Sequence, residues 1–493
     1  MSATPVTALP VRVSAVGHVL GRFLVMIAIT MALPLAFALF EGPGSVWPIL
    51  GTLSVTLIAG VLLVRRCPRP EGEFGIRDAL LTVVTVWISM AFAGGLPFYF
   101  SGYFGSFTDA FFESASGFTT TGATILRDVE VLPRSLQFWR HFSHWLGGMG
   151  IIMLGIAILP LIGIGGKTLY NAQFAGKPSE ALQPRVLQTV RALWKVYGAL
   201  TVAEFAALWW AGMSAFDAIC HTFSTLGTGG FSTRTASIGY YGSTTIETVL
   251  IVFMILSSLN FATQYRTLWV EHRPASFLRD PEVGFHLIVI GTASMGVTLT
   301  LMSYLNFSPG AALRQALFQV TSIGTTTGFA TADYELWHPF AQMTLLALMY
   351  LGGNTSSTAG GFKSFRILVL MRVVGRAMKL VVNRRQVVVI RVGKTVIPDS
   401  ALTSLLNLVL LALLFNFGAS LLLAASGLDL LTSFSAVAAC MFSVGPGLGS
   451  VGPAENYAHV PAFAKWVLSV TMLVGRVEFY TALVLITPAF WRK

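Results

Sequence analysis

The sequence predicts an all-α polytopic membrane protein, with two N-terminal spans followed by four repeats of span, half-length segment and span. Hydrophobic residues make up 54% of the chain and charged residues only 11%, and the mean hydropathy is +0.72. A soluble domain is about one-quarter charged. Apolar stretches of about 20 residues, the length that crosses a bilayer, recur from end to end, which indicates a helical membrane protein.

The first two spans form an N-terminal region, residues 1–74. They cover about residues 16–40 and 47–64 and are joined by the turn Glu41-Gly42-Pro43-Gly44. Three arginines, Arg65, Arg66 and Arg69, end the second span. The first apolar run is too long for the core of a cleaved signal peptide, so we expect it to stay in the membrane.

The rest of the chain divides into four repeats, at residues 75–166, 167–272, 273–396 and 397–493. Their paired spans lie near 78–100 and 136–165, 188–212 and 244–265, 283–305 and 339–380, and 398–426 and 461–490. Between them lie the half-length segments 107–118, 214–226, 310–323 and 429–443. These are too short to cross a bilayer, so we expect ten full spans and four re-entrant segments.

The basic residues predict the orientation. Of the 32 Lys and Arg residues, 25 lie in loops or termini on one side of this topology. The positive-inside rule places that side, with both termini, in the cytoplasm. It also accounts for the net charge of +11 without a nucleic-acid partner.

A similar string of Gly, Ser and Thr follows each half-length segment. Each string begins with Ser and carries Gly at its seventh position, and these glycines lie 108, 98 and 121 residues apart. Irregular backbone survives at membrane depth only where it is buried or lines a cavity. Four such strands around one axis would form rings of carbonyl and hydroxyl oxygens that replace the hydration shell of potassium. The pattern therefore predicts pseudo-fourfold span–pore-loop–span repeats around a central pore.

On these strings the chain resembles the Trk/Ktr/HKT superfamily, and its two extra N-terminal spans make it most similar to the Trk-type potassium uptake membrane subunits. The resemblance implies a selectivity filter at the glycines, with ion-coordinating residues just before each. We therefore expect the filter residues to be Thr120, Thr121, Gly122, Thr228, Gly229, Gly230, Thr326, Thr327, Gly328, Gly447, Leu448 and Gly449.

Two of the strings leave questions of register and chemistry. The third permits a second register, with Gly324 placed against Gly227. In the fourth, Pro446, Gly447 and Leu448 stand where the first string has threonines. We expect this strand to offer carbonyl ligands alone, which would weaken selectivity over sodium.

Two features below the filter suggest a gate. Gly352, Gly353, Gly360 and Gly361, followed by Lys363, interrupt an apolar span, and each Gly costs about 1 kcal/mol in a helix interior. The resemblance implies an intramembrane gating loop here; the alternative is a kink with no gating role.

Arg476 lies in the middle of the last apolar span. A charge at that depth costs roughly 2.5–3.5 kcal/mol on insertion scales, which indicates a function. It is either a barrier that faces the pore or a structural ion-pair partner of Glu204 or Glu113.

The sequence offers no set of residues for a transition metal. His141 and His144 are three residues apart with no third ligand nearby, so we place them at the outer interface beside Trp139 and Trp145. Cys67, Cys220 and Cys440 are far apart, which is typical of free thiols. The strings carry no ring of carboxylates, which argues against a divalent-cation site.

The combined expectation is a bacterial inner-membrane protein that translocates potassium, not an enzyme, with K+ as cargo and no organic cofactor. The alternative is a sodium- or proton-coupled secondary symporter of a small solute, and channel-like and coupled flux both stay open. The resemblance implies a homodimer in the lipid bilayer and a cytosolic nucleotide-binding regulator ring, a Trk-type RCK subunit. The basic run at residues 363–394 is either its docking face or a solvated loop.

Overall fold

The computed structural model describes residues 11–69, 75–158, 182–272, 274–393 and 395–492. The described chain is mostly helical. The N-terminal region and first two repeats contain helices α1 (Val13–Thr30), α2 (Ala32–Glu41), α3 (Pro43–Arg66), α4 (Ile76–Phe100), α5 (Phe107–Phe118), α6 (Arg134–Ile158), α7 (Leu182–Trp210), α8 (Ala215–Leu226), α9 (Thr244–Ser258) and α10 (Phe261–Tyr265).

The described residues of the third and fourth repeats form further α-helices and one small hairpin. These elements are α11 (Pro281–Leu305), α12 (Pro309–Gly324), α13 (Pro339–Leu351), α14 (Ser364–Val382), β1 (Arg391–Val392), β2 (Thr395–Val396), α15 (Asp399–Ala425), α16 (Leu430–Met441), α17 (Ala462–Val477), α18 (Phe479–Leu483) and α19 (Pro488–Trp491). The two strands pair antiparallel. The boundaries predicted near residues 74 and 166 lie outside the described residues.

The N-terminal region packs through small residues. α1 and α3 cross where Gly21 meets Gly60, and a Cβ on either glycine would lie 2.8 Å from the carbonyl oxygen of the other. Such close backbone approach is how membrane helices associate in the absence of a hydrophobic driving force. Glu41 at the end of α2 accepts hydrogen bonds from the amide (3.0 Å) and hydroxyl (2.5 Å) of Ser135, which fixes this region to α6.

Five spans among the described helices are long and apolar enough to cross a membrane, and two bent helix pairs raise this number to seven. The bent pairs correct two predicted continuous spans. The chain bends by 101° between Thr244–Ser258 and Phe261–Val270, and by 116° between Ala462–Val477 and Phe479–Ile486. The break predicted within 339–380 is present between α13 and α14. The remaining spans of the expected ten stay a prediction.

The four half-length segments form short helices, here called the pore helices: α5, α8, α12 and α16. They have 12, 12, 16 and 12 residues, or about 18–24 Å at 1.5 Å per residue. Ser106, Ser214 and Asp429 cap three of their N-termini by accepting a backbone hydrogen bond. Each C-terminus, the negative end of the helix dipole, leads into one of the four strings and so favours a cation there.

Candidate ion pathway

The strands that follow the pore helices share one backbone conformation. Thr120, Thr228, Thr326 and Ser443 have φ angles of 54°, 53°, 57° and 56°. The left-handed region is rare for a β-branched residue such as Thr. Two residues further on, each strand has a glycine with positive φ, and these glycines are Gly122, Gly230, Gly328 and Gly445. The repetition identifies four equivalent strands, here called the filter strands: residues 120–122, 228–230, 326–328 and 443–445.

The hydrogen bonds at the start of these strands show the same register. The middle residue of each strand donates its amide to the carbonyl five residues earlier, and every one of these bonds is 2.8 Å long. The pairs are Thr121 to Ser116, Gly229 to Ser224, Thr327 to Ser322 and Val444 to Ala439. The same turn therefore places each strand on its pore helix.

The four strands close a ring. A Cβ added to Gly122 would strike the carbonyl of Gly229, one on Gly230 that of Thr327, and one on Gly328 that of Val444. A Cβ on Gly445 would lie 2.6 Å from the carbonyl of Thr121, which returns to the first strand. Each glycine is thus required because the next strand's carbonyl oxygen occupies the space of a side chain.

The register predicted for the fourth strand was wrong. Gly447, Leu448 and Gly449 lie beyond the ring: the amide and carbonyl of Leu448 both bond to the hydroxyl of Ser435 at 2.9 Å, and Gly449 faces Thr432. The ungapped comparison matched Ser443 with Ser116, whereas the backbone matches Ser443 with Thr120. The fourth strand therefore carries a hydroxyl, contrary to the expectation of carbonyls alone.

The alternative register of the third strand was also wrong. Thr326 corresponds to Thr228, so Gly324 is not the equivalent of Gly227. The hydroxyl-bearing position is occupied in all four strands. Thr228 bonds to the carbonyl of Gly227 at 2.7 Å, and the Thr120 hydroxyl makes no hydrogen bond with the described residues.

The glycine-rich break in the third repeat lies directly against the filter strands. Here called the intramembrane loop, it covers residues 352–363, between α13 and α14. The amide of Gly360 donates to the hydroxyl of Thr326 at 2.7 Å, and a Cβ on Gly360 would strike the carbonyl of Phe442. The loop therefore touches the third and fourth strands at the end nearest their pore helices.

Bonds from the second repeat and from α11 of its own repeat hold this loop in place. The amide of Asn354 donates to the carbonyl of Ser258 at 2.7 Å, and the Thr358 hydroxyl donates to the carbonyl of Ser257 at 3.1 Å. Both acceptors lie at the bend between α9 and α10. From α11, the carboxylate of Glu282 accepts from the amide of Thr355 at 2.6 Å. The bend in the second repeat thus positions the loop through these two hydrogen bonds.

Arg476 bonds to this loop and not to a carboxylate. Its side chain donates to the carbonyls of Thr358 (2.9 Å) and Gly147 (3.2 Å), and the residue is 3% exposed. Glu113 pairs with Arg140 instead, and among the described residues Arg476 bonds to these two carbonyls and not to Glu204. The expected alternative of a structural ion pair was therefore wrong.

The other predicted gate residues meet at the same place. Gly352 and Gly361 lie so close that a Cβ on either would strike the other, and Lys363 donates to the carbonyl of Ala359. At the start of α14, Arg366 bonds to both carboxylate oxygens of Glu478 at 3.0 Å. Glu478 is the hinge of the bent fourth-repeat span, with a φ of 73°. The loop is thus coupled to two bent spans.

His141 and His144 are fully buried, so their predicted place at the outer interface was wrong. Both rings bond to the hydroxyl of Ser224, at 2.7 and 3.1 Å. A Cβ on Gly229 would strike the ring of His144, so this histidine packs behind the second filter strand. No group of three His, Cys, Asp or Glu residues that could hold a metal occurs in the described ranges, and the three cysteines are free thiols.

At the opposite end the filter strands open into a cavity of about 90 Å³, lined by all four filter glycines, Arg234 and Glu455. Arg234 is paired with Glu130 (3.2 Å) and Asp217 (3.4 Å). Burial lowers the pKa of Arg234, but a hydrogen bond with Tyr241 and the charge of Asp217 raise it by more. The guanidinium stays charged, and its two carboxylate partners offset the repulsion that it would exert on an entering cation.

This architecture matches one family of known proteins. A family model described as TrkH, a cation transport protein, matches residues 48–493.

The chain belongs to the TrkH family.

Individual relatives agree with this membership. The Trk system potassium uptake protein TrkH of Vibrio parahaemolyticus is 40% identical over 97% of this chain and 99% of its own length. The Trk system potassium uptake protein TrkG of Escherichia coli is 32% identical over 98% of this chain and 99% of its own. The crystal structure of the potassium transporter TrkH from Vibrio parahaemolyticus superposes with a TM-score of 0.90, at 38% identity, covering 98% of this chain and 100% of that one.

Membership of the TrkH family confirms several expectations. The resemblance to the Trk subunits and the all-α polytopic membrane fold are confirmed. The TrkH family consists of transporters, so the expectation that the chain is not an enzyme is confirmed as well.

Sequence analysis assigned no function to Arg140, whose guanidinium lies 3.4 Å from the ring centre of Phe231, the residue that follows the second filter strand. The available signal was its position within an apolar span, where a charge indicates function by default.

Proposed function

We propose that this chain carries potassium across the bacterial inner membrane, with both termini in the cytoplasm, through the four filter strands. The supporting observation is the closed ring, in which each filter glycine lies against the carbonyl of the next strand. Four carbonyl oxygens and four hydroxyl oxygens, one of each from every filter strand, can replace the hydration shell of a monovalent cation. The predicted residues of the first three strands keep this role, and Ser443, Val444 and Gly445 take it in the fourth.

The chemistry of the ring favours potassium over a divalent ion. Its oxygens are neutral, whereas Ca2+ is held by carboxylates and Mg2+ keeps its water at strict geometry. The relatives named above are potassium uptake proteins and a potassium transporter. The hydroxyl of Ser443 gives the fourth strand the same donor type as its partners, which supports stronger discrimination against sodium than the sequence alone suggested.

The intramembrane loop is proposed to be the gate. Its contact with Thr326, its bonds to the bends of the second repeat and its bond to Arg476 support a closed arrangement, in which the loop blocks the path below the filter. Opening would require the loop to leave Thr326 and Arg476 to release the carbonyl of Thr358. Gly352, Gly353, Gly360 and Gly361 supply the backbone freedom for that movement.

We also propose that a cytosolic nucleotide-binding ring regulates this chain and that the chain assembles into a homodimer. α14 follows the loop directly and exposes large apolar side chains, among them Val381 (80%) and Val382 (89%). The basic residues Lys379, Arg384 and Arg385 lie beside them in sequence. A surface of cations and exposed apolar groups next to the gate is suited to a partner that moves the loop.

Flux of rubidium and sodium into vesicles tests the proposed function. The purified chain, reconstituted into liposomes, should take up rubidium down its gradient and exclude sodium. Potassium in excess should compete with rubidium, whereas a panel of neutral and charged organic solutes should not. Uptake of an organic solute with sodium or protons, without rubidium flux, would establish the symporter instead.

A further inference from the structure

A fully buried ion pair lies behind the filter, between Arg140 on α6 and Glu113 on α5. The Nε of Arg140 is 2.6 Å from Oε1 of Glu113, and the two side chains are 2% and 0% exposed. Removing one partner of such a pair strands a charge in a medium that cannot solvate it. The pair is therefore a rigid connection between the first pore helix and the span that follows it.

Glu113 uses its remaining acceptor capacity on its own repeat. The hydroxyl of Thr124 donates to both carboxylate oxygens, at 2.9 and 3.1 Å, and the amide of Ile125 donates at 3.0 Å. These residues follow the filter glycine Gly122 by two and three positions. Glu113 thus holds the outer end of the first filter strand.

Arg140 reaches into the second repeat. Its Nη1 donates to the carbonyl of Ser232 at 3.2 Å, and its guanidinium lies 3.4 Å from the ring centre of Phe231. Phe231 directly follows the filter glycine Gly230 and also stacks on His144, with 4.1 Å between ring centroids. Arg140 and His144 are four residues apart on α6, so both side chains of one helical turn contact Phe231.

The equivalent residues of the other pore helices make simpler connections. His221 and Gln319 stand nine residues before their filter glycines, as Glu113 does, and each bonds to its own outgoing segment, at Ser232 (2.9 Å) and Ala332 (3.1 Å). In the fourth repeat the equivalent position is Ala436, and its neighbour Ser435 bonds to Leu448. Each of these bonds stays within its repeat, whereas Arg140, paired with Glu113, extends to Ser232 of the second repeat.

We propose that Glu113 and Arg140 are positioning residues that determine specificity by fixing the spacing between the first and second filter strands. This rests on the proposed function of the strands. The planar guanidinium does three things that an ammonium cannot do together: it binds the carboxylate, donates to the Ser232 carbonyl and stacks on Phe231. Without it the first two strands are free to approach, and the ring can contract around the smaller sodium ion.

The test compares Arg140→Lys with Arg314→Lys in reconstituted vesicles. Arg314 on α12 binds Glu247 on α9 with the same Nε-to-carboxylate distance of 2.6 Å. Like the Glu113–Arg140 pair it joins a pore helix to a span, but its arginine side chain is 38% exposed and stands 12 residues before Thr326 of the third filter strand. We expect the ratio of rubidium to sodium flux to fall about tenfold in Arg140→Lys, equal to about 1.4 kcal/mol, with rubidium flux retained. Arg314→Lys should keep the parental ratio.

The rubidium-to-sodium flux ratios of Phe231→Leu and Glu113→Gln provide two further tests of the proposal. Phe231→Leu removes the stacking but leaves the ion pair, so its flux ratio should fall less than that of Arg140→Lys; this variant decides the matter if Arg140→Lys fails to fold. If the parent selects rubidium and the folded variants keep the same ratio of rubidium to sodium flux, the proposal is refuted. A parent that does not select rubidium would refute the proposed function itself, so the two failures are distinct.

Discussion

The residues that best define the pathway are glycines in the filter strands, and their requirement follows from the carbonyl oxygen that faces each of them. Gly328 has a φ of 83°, and a Cβ there would strike the carbonyl of Val444 and lie 3.1 Å from Pro446. Any L-residue at this place is strained by its backbone and blocked by its neighbour. The substitution therefore displaces a ligand of the ion and leaves the helices in place.

Gly328→Ser should lower the ratio of rubidium to sodium flux by about tenfold, or about 1.4 kcal/mol, or abolish rubidium flux, while the protein still folds. The control is Gly310→Ser at the outer end of the same pore helix, where a Cβ meets nothing within 4 Å. Flux measured in vesicles and melting of the purified variants test this. A selective Gly328→Ser variant would contradict the account.

Arg476 is the second residue whose substitution has a defined outcome. A guanidinium about 5 Å from a passing cation costs roughly 3 kcal/mol at an effective dielectric near 20, and in the proposed gate its bond to Thr358 would hold the loop closed. Arg476→Ala should therefore raise rubidium flux by up to about a hundredfold, at 1.4 kcal/mol per tenfold. Arg476→Lys keeps the charge and should stay near the parent.

The contrary outcome for Arg476 is also specific. If its bonds to Thr358 and Gly147 mainly stabilise the fold, Arg476→Ala will lose expression, melting temperature and flux together. Faster flux with an unchanged melting temperature supports a barrier in the pathway.

At the residue scale, the sequence was sufficient where the strings align without a gap. The nine residues predicted in the first three strands lie together. In the fourth, the repeated glycines allow more than one alignment, and the ungapped one, which matches Ser443 with Ser116, was wrong. The backbone angles of Ser443 and Gly445 and the amide bond of Val444 to Ala439 distinguish the two. Arg140 was overlooked because its partners, Glu113 and Ser232, are distant in sequence.

The elements around the proposed gate are three broken spans, one each in the second, third and fourth repeats. Hydropathy predicted only the break in the third repeat, since its glycines interrupt an apolar run. The bends at Asn260 and Glu478 have polar residues beside them, but no repeated glycine pairs mark them as breaks in a span. Asn260 did hold a readable signal, because Asn is a preferred helix cap, and its side chain accepts from the amides of Ala262 and Thr263.

Gly360→Ala tests the loop as an element. The added methyl would strike the carbonyl of Phe442 and so push the loop away from the hydroxyl of Thr326. Rubidium flux should rise several-fold and respond less to the regulator, as it should after deletion of residues 354–359. Gly375→Ala on α14, where a Cβ meets nothing within 4 Å, is the control and should conduct like the parent. Background flux in folded Gly360→Ala protein would show that the loop is structural.

For the whole molecule, the decisive property is that strands about 100 residues apart in sequence occupy equivalent positions around one axis. Composition and hydropathy were enough to predict the all-α membrane class. They could not predict how the repeats differ: bends in the second and fourth, and an arginine of the first, Arg140, that bonds to Ser232 of the second. These differences depend on contacts between repeats, which no local pattern records.

The most direct test of the fourfold filter is the register of its fourth strand. Gly445→Ala should abolish selectivity for rubidium over sodium, because a Cβ there would lie 2.6 Å from the carbonyl of Thr121. Gly447→Ala, whose Cβ would meet the side chains of Val451 and Ser435 at 2.9 and 3.0 Å, should keep that selectivity. Flux ratios of both variants in vesicles decide between the registers. Lost selectivity in Gly447→Ala together with a selective Gly445→Ala would contradict the ring described here.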